Sequence, residues 1–279
     1  MIAILSLGVV VVAITLVVGF YLVTPPVLEQ PIVPTTPTTE VVETIEEQGG
    51  VELSPLVEPS PTLEPITAHL DVITIDEQPV RVYTPSRIET DQKVTLIIYS
   101  HGSNENVDPA LITQTFNETL ETYGTYFSEK GAIFIASELY GQNWGNQESR
   151  EHIKHIIEYF NSEYSNKTTV HVYGFSMGGL AALRFARDYP EMVDSVLLLA
   201  PTIAMDDWTT ENLNRIAQIP ITLWHGTSDV NVPFSQSQEF ITKFNTTNST
   251  TINFISVQGE THRHFVTPQS LLTEIKRNS

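Results

Sequence analysis

The sequence predicts an α/β domain at residues 67–279, built on a mostly parallel sheet of about eight strands flanked by helices. Eight short apolar runs rich in β-branched residues are typical of buried strands. Helical patterns lie between most of these runs. Because the chain must cross over before it can add another parallel strand, this alternation predicts a sheet covered by helices on both faces.

The first two runs, HLDVITI and PVRVYTP, are expected to pair with each other as opening strands. The other six predicted strands are VTLIIYS, AIFIASE, TTVHVYG, SVLLLAP, ITLWHG and TINFISV. Helices are predicted at residues 110–130, 147–162, 177–189, 235–244 and 268–276. In sheets of this kind the loops at the carboxyl ends of the strands form the ligand crevice, so functional residues are expected there.

Two segments precede this domain. Residues 2–23 form an uncharged apolar run of the length that a helix needs to cross a bilayer, and we expect a transmembrane anchor at residues 1–23. A cleaved signal peptide is the alternative, although no convincing cleavage site follows the run. Residues 24–66 are rich in Pro, Thr and Glu and predict a disordered linker. The expected location is the cell membrane, crossed once, with the domain on the outer side.

Composition excludes several classes of function. The net charge of −19 argues against a nucleic-acid partner, which needs clustered Lys and Arg. The absence of cysteine excludes disulfides, cysteine-ligated zinc and a thiol nucleophile. No phosphate-binding or dinucleotide-binding glycine motif occurs, so no cofactor is expected. His152 and His155 share a predicted helix face, but without a third ligand we interpret them as solvated rather than metal-binding.

A candidate nucleophile follows the run TTVHVYG. Gly174, Phe175, Ser176, Met177 and Gly178 form a G-x-S-x-G motif between a predicted strand and a predicted helix. A turn this tight needs glycines beside the serine, and it presents the serine hydroxyl at a helix N-terminus. Ser176 could instead act only as a helix cap. The strand before it and the helix after it favour a nucleophile.

A nucleophilic serine needs a base and an orienting acid, which in this order of elements follow it in the chain. Asp229 lies after the strand ITLWHG and is the candidate acid, with Asp206 and Asp207 as alternatives. The base is His262 or His264, both after the last strand. The spacing from Gly259 favours His262, because glycine allows the sharp turn that returns the ring over the serine.

An oxyanion needs backbone donors, and the HGS motif after VTLIIYS is where one is expected. The amide of Ser103, or that of Gly102, would act with the amide of Met177. His101 is expected to hold this loop through hydrogen bonds rather than to act as the base.

Together these motifs resemble the α/β-hydrolase superfamily. The resemblance covers about residues 68–279 and rests on HGS, GFSMGG, HGTSDVNVP and GETHRH in this order, most like small bacterial esterase-type and peptidase-like members. It implies a serine hydrolase that cleaves carboxylic esters, with a small-molecule acyl ester as substrate, and the apolar run at residues 2–23 predicts that this hydrolase is anchored in the membrane. A serine peptidase acting on short peptides, and a catalytically silent binding module of the cell envelope, are the alternatives. The expected pocket walls are Tyr140, Trp144, Met205 and Trp208.

Overall fold

The computed structural model describes residues 64–88, 93–165 and 168–278. Its strands are β1 (Ala68–Ile75), β2 (Gln78–Pro85), β3 (Val94–Ser100), β4 (Ile133–Ser137), β5 (Thr168–Phe175), β6 (Ser195–Leu199), β7 (Ile221–Gly226) and β8 (Asn253–Val257). Its α-helices are α1 (Gln114–Glu129), α2 (Gln147–Glu163), α3 (Met177–Asp188), α4 (Thr210–Arg215), α5 (Phe234–Thr247) and α6 (Pro268–Asn278). Two short 3-10 helices lie at Pro190–Met192 and Met205–Asp207.

The eight strands form one sheet in the order β1-β2-β4-β3-β5-β6-β7-β8. β1 pairs with β2, and β2 with β4, in antiparallel fashion, whereas all other pairs are parallel. This confirms the predicted mostly parallel sheet and its paired opening strands. The carboxyl ends of β3, β5, β7 and β8 therefore meet at one edge of the sheet.

Helices cover both faces of the sheet, as expected. One face packs against α2, α3, α4 and α5, which contribute the buried side chains Ile153, Phe185, Leu213 and Phe240. The other face packs against α1 and α6, which contribute Leu120 and Leu271. Each fully buried side chain of this kind stabilises the fold by about 1.5–3 kcal/mol.

Two helices differ most from the sequence prediction, while α5 and α6 extend two to three residues beyond their predicted ends. α1 begins at Gln114 rather than at residue 110, because the Thr113 hydroxyl accepts a hydrogen bond from the Phe116 amide and caps the helix there. α4 was not predicted, since its six residues are too few to show a helical period.

The predicted membrane anchor at residues 1–23 lies outside the described residues, as does the predicted linker apart from residues 64–66. Within the described part of the chain, every helix is too short or too polar to cross a bilayer.

Candidate active site

Ser176 occupies a strained turn between β5 and α3. Its backbone has φ 53° and ψ −119°, a conformation that costs a non-glycine residue about 1–3 kcal/mol. The turn is held because the Ser176 amide donates to the Leu199 carbonyl at 3.0 Å, and the Ser176 carbonyl accepts from the Thr202 amide at 2.8 Å. The Ser176 hydroxyl makes no capping hydrogen bond to the helix that follows, so it is available for other contacts.

The glycines on either side of the serine are required by close backbone approach. A methyl group added at Gly174 would lie 2.3 Å from the Gly178 carbonyl oxygen. A methyl group added at Gly178 would lie 1.9 Å from the carbonyl oxygen of Ser100, at the end of β3. Only glycine fits at these two positions, and the backbone can therefore turn tightly enough to present Ser176 at the edge of the sheet.

Ser176, His262 and Asp229 form a continuous chain of hydrogen bonds. The His262 Nε2 atom lies 2.9 Å from the Ser176 Oγ atom, and the His262 Nδ1 atom lies 2.7 Å from Asp229 Oδ2. A carboxylate can only accept, so Nδ1 carries the proton and Nε2 accepts from the serine hydroxyl. This arrangement leaves the imidazole ready to take the proton of Ser176.

Asp229 is held in place by three further contacts. Its buried side chain accepts hydrogen bonds through Oδ1 from the amides of Asn231 and Val232, both at 2.9 Å. The His225 Nε2 atom lies 3.3 Å from Asp229 Oδ2 and donates to the Val232 carbonyl at 3.1 Å. Burial lowers the pKa of His225, although the Val232 carbonyl and Asp229 oppose this effect. His225 is thus a neutral donor that orients the acid loop, a role that its sequence position did not reveal.

His264, the alternative base, pairs with a different carboxylate. Its Nε2 atom lies 2.5 Å from Glu105 Oε1, and Glu105 Oε2 accepts from the Gly102 amide at 2.7 Å and from the Tyr99 hydroxyl at 3.1 Å. Burial alone would raise the pKa of Glu105, but the hydrogen bond and charge of His264, together with the Gly102 amide, bring this pKa below its ordinary value. The ring of Phe175 lies between the two histidines, with ring centroids 5.0 Å from His262 and 4.0 Å from His264.

The alternative acids lie elsewhere. Asp207 binds Arg184 at 2.6 Å through its Oδ2 atom, and Asp206 is exposed on the same 3-10 helix. Neither contacts His262 among the described residues, whereas Asp229 does.

The two amides that the sequence assigns to the oxyanion lie in the loop after β3 and at the first residue of α3. The amide of Gly102 is already engaged by Glu105. The amides of Ser103 and Met177 donate to no other residue in the described part of the chain. The loop itself is held by His101, whose ring nitrogens lie 2.8 Å from the Gly102 and Glu138 carbonyl oxygens, as the sequence predicted for this residue.

A cavity of about 510 Å³ opens above Ser176. Of the four predicted pocket walls, Trp144 lines this cavity and the other three do not. Tyr140 lies beside a separate hollow, where its hydroxyl donates to the Asp76 carbonyl at 3.4 Å. Trp208 is fully buried against Phe240, and Met205 packs against the same apolar core. These three assignments were wrong because nearness in sequence to a strand end does not give the direction of a side chain.

A second Ser-His-Asp arrangement lies at that separate hollow. The His152 Nε2 atom is 2.7 Å from Ser137 Oγ, and His152 and His155 reach Asp76 Oδ2 at 2.9 and 2.7 Å. The interpretation of His152 as solvated was therefore wrong, since its side chain is buried by this network. Ser137 is only 1% exposed, so a substrate cannot reach its hydroxyl. Across the described residues, no group of three or more His, Cys, Asp or Glu could hold a metal ion.

The chain matches the family of phospholipases and carboxylesterases over residues 137–275. No curated protein matches it.

Solved structures share its fold. A thermostable esterase superposes with a TM-score of 0.57 at 15% identity, covering 75% of this chain but only 62% of the esterase, less than two thirds of that protein. Est1E from Butyrivibrio proteoclasticus gives a TM-score of 0.54 at 15% identity, covering 75% of this chain and 96% of Est1E. Thermogutta terrifontis esterase 2, phosphorylated by paraoxon, gives a TM-score of 0.51 at 15% identity, covering 75% of this chain and 91% of that esterase. The family match and the shared fold together show that the chain belongs to the α/β-hydrolase superfamily and is related to carboxylesterases, which confirms the resemblance seen in its motifs.

Proposed function

We propose that this member of the α/β-hydrolase superfamily cleaves carboxylic esters with Ser176 as nucleophile, His262 as general base and acid, and Asp229 as the residue that orients His262. The observation that supports the proposal most is the hydrogen-bond chain from Ser176 Oγ through His262 to Asp229, at 2.9 and 2.7 Å, in the wall of an open cavity. Serine, base and acid in this geometry are what acyl transfer by a serine nucleophile needs.

The reaction proceeds in two halves. Ser176 Oγ attacks the acyl carbon while His262 Nε2 takes its proton, and Asp229 stabilises the imidazolium that forms. The tetrahedral intermediate collapses, the bond to the alcohol oxygen breaks, and His262 returns the proton to the leaving alcohol. Water then attacks the acyl-enzyme with His262 again as base, which releases the acid and restores Ser176.

The oxyanion of each intermediate is stabilised by the amides of Ser103 and Met177. Met177 is the first residue of α3, where the helix dipole adds to the stabilisation of negative charge. Because the Gly102 amide donates to Glu105, we assign the second donor to Ser103. Loss of one such donor costs about 10²–10³ in kcat in other serine hydrolases.

A purified full-length chain and the variants Ser176→Ala, His262→Ala and His264→Ala test this assignment. Each protein is treated with a fluorophosphonate probe, and its hydrolysis of p-nitrophenyl acetate is followed. We expect labelling and turnover to vanish in the first two variants and to persist in His264→Ala, whose ring does not reach Ser176. Ser235→Ala, which changes an exposed serine of α5, serves as the matched control.

Three outcomes would contradict the proposal. A folded wild-type protein with neither labelling nor turnover would favour the silent binding module. Activity that survives in His262→Ala but vanishes in His264→Ala would move the base to His264. Hydrolysis of dipeptide anilides in preference to esters would favour the peptidase, since the triad alone serves both reactions.

We also propose that residues 1–23 anchor the enzyme in the cell membrane, that residues 24–66 form a disordered linker, and that residues 67–279 act on the outer side. Support comes from the apolar run at residues 2–23 and from the proline-rich composition that follows it. Extraction of membranes with alkaline carbonate should leave the full chain in the membrane pellet, and protease added to intact cells should release the domain. Recovery of the intact chain in the carbonate supernatant would contradict the anchor.

A further inference from the structure

The cavity above Ser176 has a polar wall. Apart from the triad and the oxyanion loop, its lining includes three amide side chains and one hydroxyl, on Asn104, Asn231, Gln236 and Thr202. Asn104 and Asn231 are exposed, and their side chains make no hydrogen bond to any other described residue. The backbone amide of Asn231 donates to Asp229. The Gln236 Oε1 atom accepts from the Ile203 amide at 3.2 Å, which fixes the side chain and leaves its NH₂ group for another partner. The wall therefore offers several donors and acceptors to a bound molecule.

Few apolar side chains line the cavity. Besides Trp144, the apolar side chains in its lining are Phe175 and Val232, only 6% and 7% exposed. Phe175 is further covered by the rings of His262 and His264. A long acyl chain gains about 0.8 kcal/mol for each CH₂ that it buries, and this cavity gives such a chain little surface to contact. Such a lining suits a short acyl group better than a long one.

Trp144 is the one large apolar side chain that the cavity exposes. Trp144 is 46% exposed, and its backbone has φ 48°. A non-glycine residue in this conformation is strained, and such strain persists only where the surroundings hold it.

The surroundings of Trp144 hold it firmly. The Trp144 carbonyl accepts from Arg184 Nη1 at 2.7 Å, and Arg184 is itself fixed by an ion pair with Asp207 at 2.6 Å. The next residue, Gly145, packs so closely on α3 that an added methyl group would lie 2.9 Å from the Cα atom of Ala181. The Gly145 carbonyl also accepts from Arg150 Nη1 at 2.5 Å. The backbone that carries the exposed Trp144 side chain is thus held in place, and this side chain lines the cavity.

We propose that the alcohol part of the substrate is a carbohydrate, and that the enzyme removes a short acyl group such as acetate from a sugar hydroxyl. The inference rests on the proposed function and names its substrate class. A sugar ring has a face of C–H groups that can lie against the Trp144 indole, and a rim of hydroxyls that suits the amides of Asn104, Asn231 and Gln236. Rigid aromatic anchors beside adaptable polar groups are the usual means of binding such amphipathic ligands.

The test compares two acetate esters. One is acetylated cellotetraose, and the other is ethyl acetate, which has no ring to stack on Trp144; acetate release is measured for both. For the wild-type enzyme we expect kcat/KM for the sugar ester to exceed that for ethyl acetate at least tenfold. In Trp144→Ala this ratio should fall at least tenfold, mainly through a higher KM for the sugar ester, and Trp144→Phe should retain most of it. Tyr159→Ala, which removes another exposed aromatic side chain, should leave the ratio unchanged.

Three results would overturn the inference while leaving ester hydrolysis intact. One is an unchanged ratio in a folded Trp144→Ala protein. Another is wild-type preference for ethyl acetate over the sugar ester. The third is faster hydrolysis of p-nitrophenyl octanoate than of p-nitrophenyl acetate, which would reveal a site for a long acyl chain. Failure of the proposed function is distinguishable, because then neither ester is cleaved and the fluorophosphonate labels nothing.

Discussion

The pair formed by Glu105 and His264 provides a quantitative test of how the site is held together. Both side chains are largely buried, 14% and 16% exposed, and their atoms lie 2.5 Å apart. The pair joins the loop after β3, which carries the proposed oxyanion donor, to the loop after β8, which carries His262. Replacing His264 by leucine, of similar size, leaves the Glu105 carboxylate buried without its partner.

Removing one member of a buried pair costs about 3–5 kcal/mol. Glu105 keeps the Gly102 amide and the Tyr99 hydroxyl as donors, so we expect the lower end for His264→Leu, about 3 kcal/mol. In a domain of this size that corresponds to a fall in Tm of about 6–12 °C. The double variant Glu105→Gln with His264→Leu removes both ionisable groups and should lose only about 1 kcal/mol.

The pH dependence of the same variant has a definite sign. Because the folded-state pKa of Glu105 is lowered, the stability that its carboxylate contributes is present above its ordinary pKa and is lost as the pH falls through the folded value. Without His264 that pKa rises, and the carboxyl group takes up a proton in the folded protein at a higher pH. The difference in free energy of unfolding between wild type and His264→Leu should therefore become smaller as the pH falls from 7 to 4.

The Tm values of wild type, His264→Leu and the double variant are measured by thermal unfolding followed by circular dichroism. Hydrolysis of p-nitrophenyl acetate by the same proteins reports on the oxyanion loop. The uncompensated charge of His264→Leu should also lower kcat more than the double variant does. Equal Tm values for the single and double variants would refute the argument, because they would show that no penalty arises from the unpaired Glu105 carboxylate.

Three further predictions concern other parts of the site and core. Asp229→Asn should lower kcat about 10⁴-fold, because the imidazole loses its orienting carboxylate; a fall of less than tenfold in steady-state kinetics would contradict its role. In urea unfolding, Gly178→Ala should destabilise the fold by about 3 kcal/mol, because its methyl group meets a β3 carbonyl. Gly131→Ala should cost only about 1 kcal/mol, because its methyl group meets open space and only the backbone, at φ 83°, opposes it. Equal losses would refute the steric argument. Burial lowers the pKa of His171 to about 4, partly opposed by Asp194. The unfolded chain thus binds more protons between pH 6.5 and 4, and wild-type stability should fall by about 2 kcal/mol from pH 7 to pH 4.5 through this residue, a loss that His171→Gln should abolish.

Local patterns were sufficient to predict the sheet and the positions of its strand ends. The alternation of apolar runs with helical patterns fixes a parallel sheet, and parallel strands place their carboxyl ends together. Residues such as Ser176 and Asp229 follow strands directly, so their meeting at one edge could be expected from the order of elements alone.

Contacts between distant loops were not predictable. Glu105 and His264 are 159 residues apart, and nothing in the local sequence of either indicates that they pair. Likewise, Trp208 lies after β6 as an active-site residue would, but its side chain points into the core, whereas Trp144 is exposed by a backbone turn that no propensity favours. Side-chain direction in loops depends on packing against other elements, which a single sequence does not report.

The most direct test of the central claim is to locate the covalent adduct. The full-length chain is reacted with a fluorophosphonate, digested, and examined by peptide mass spectrometry. The geometry predicts one phosphonyl group, on Ser176, formed at a rate that falls sharply in His262→Ala. An adduct on another serine, or none in a protein shown to be folded, would contradict the assignment of Ser176 as the nucleophile.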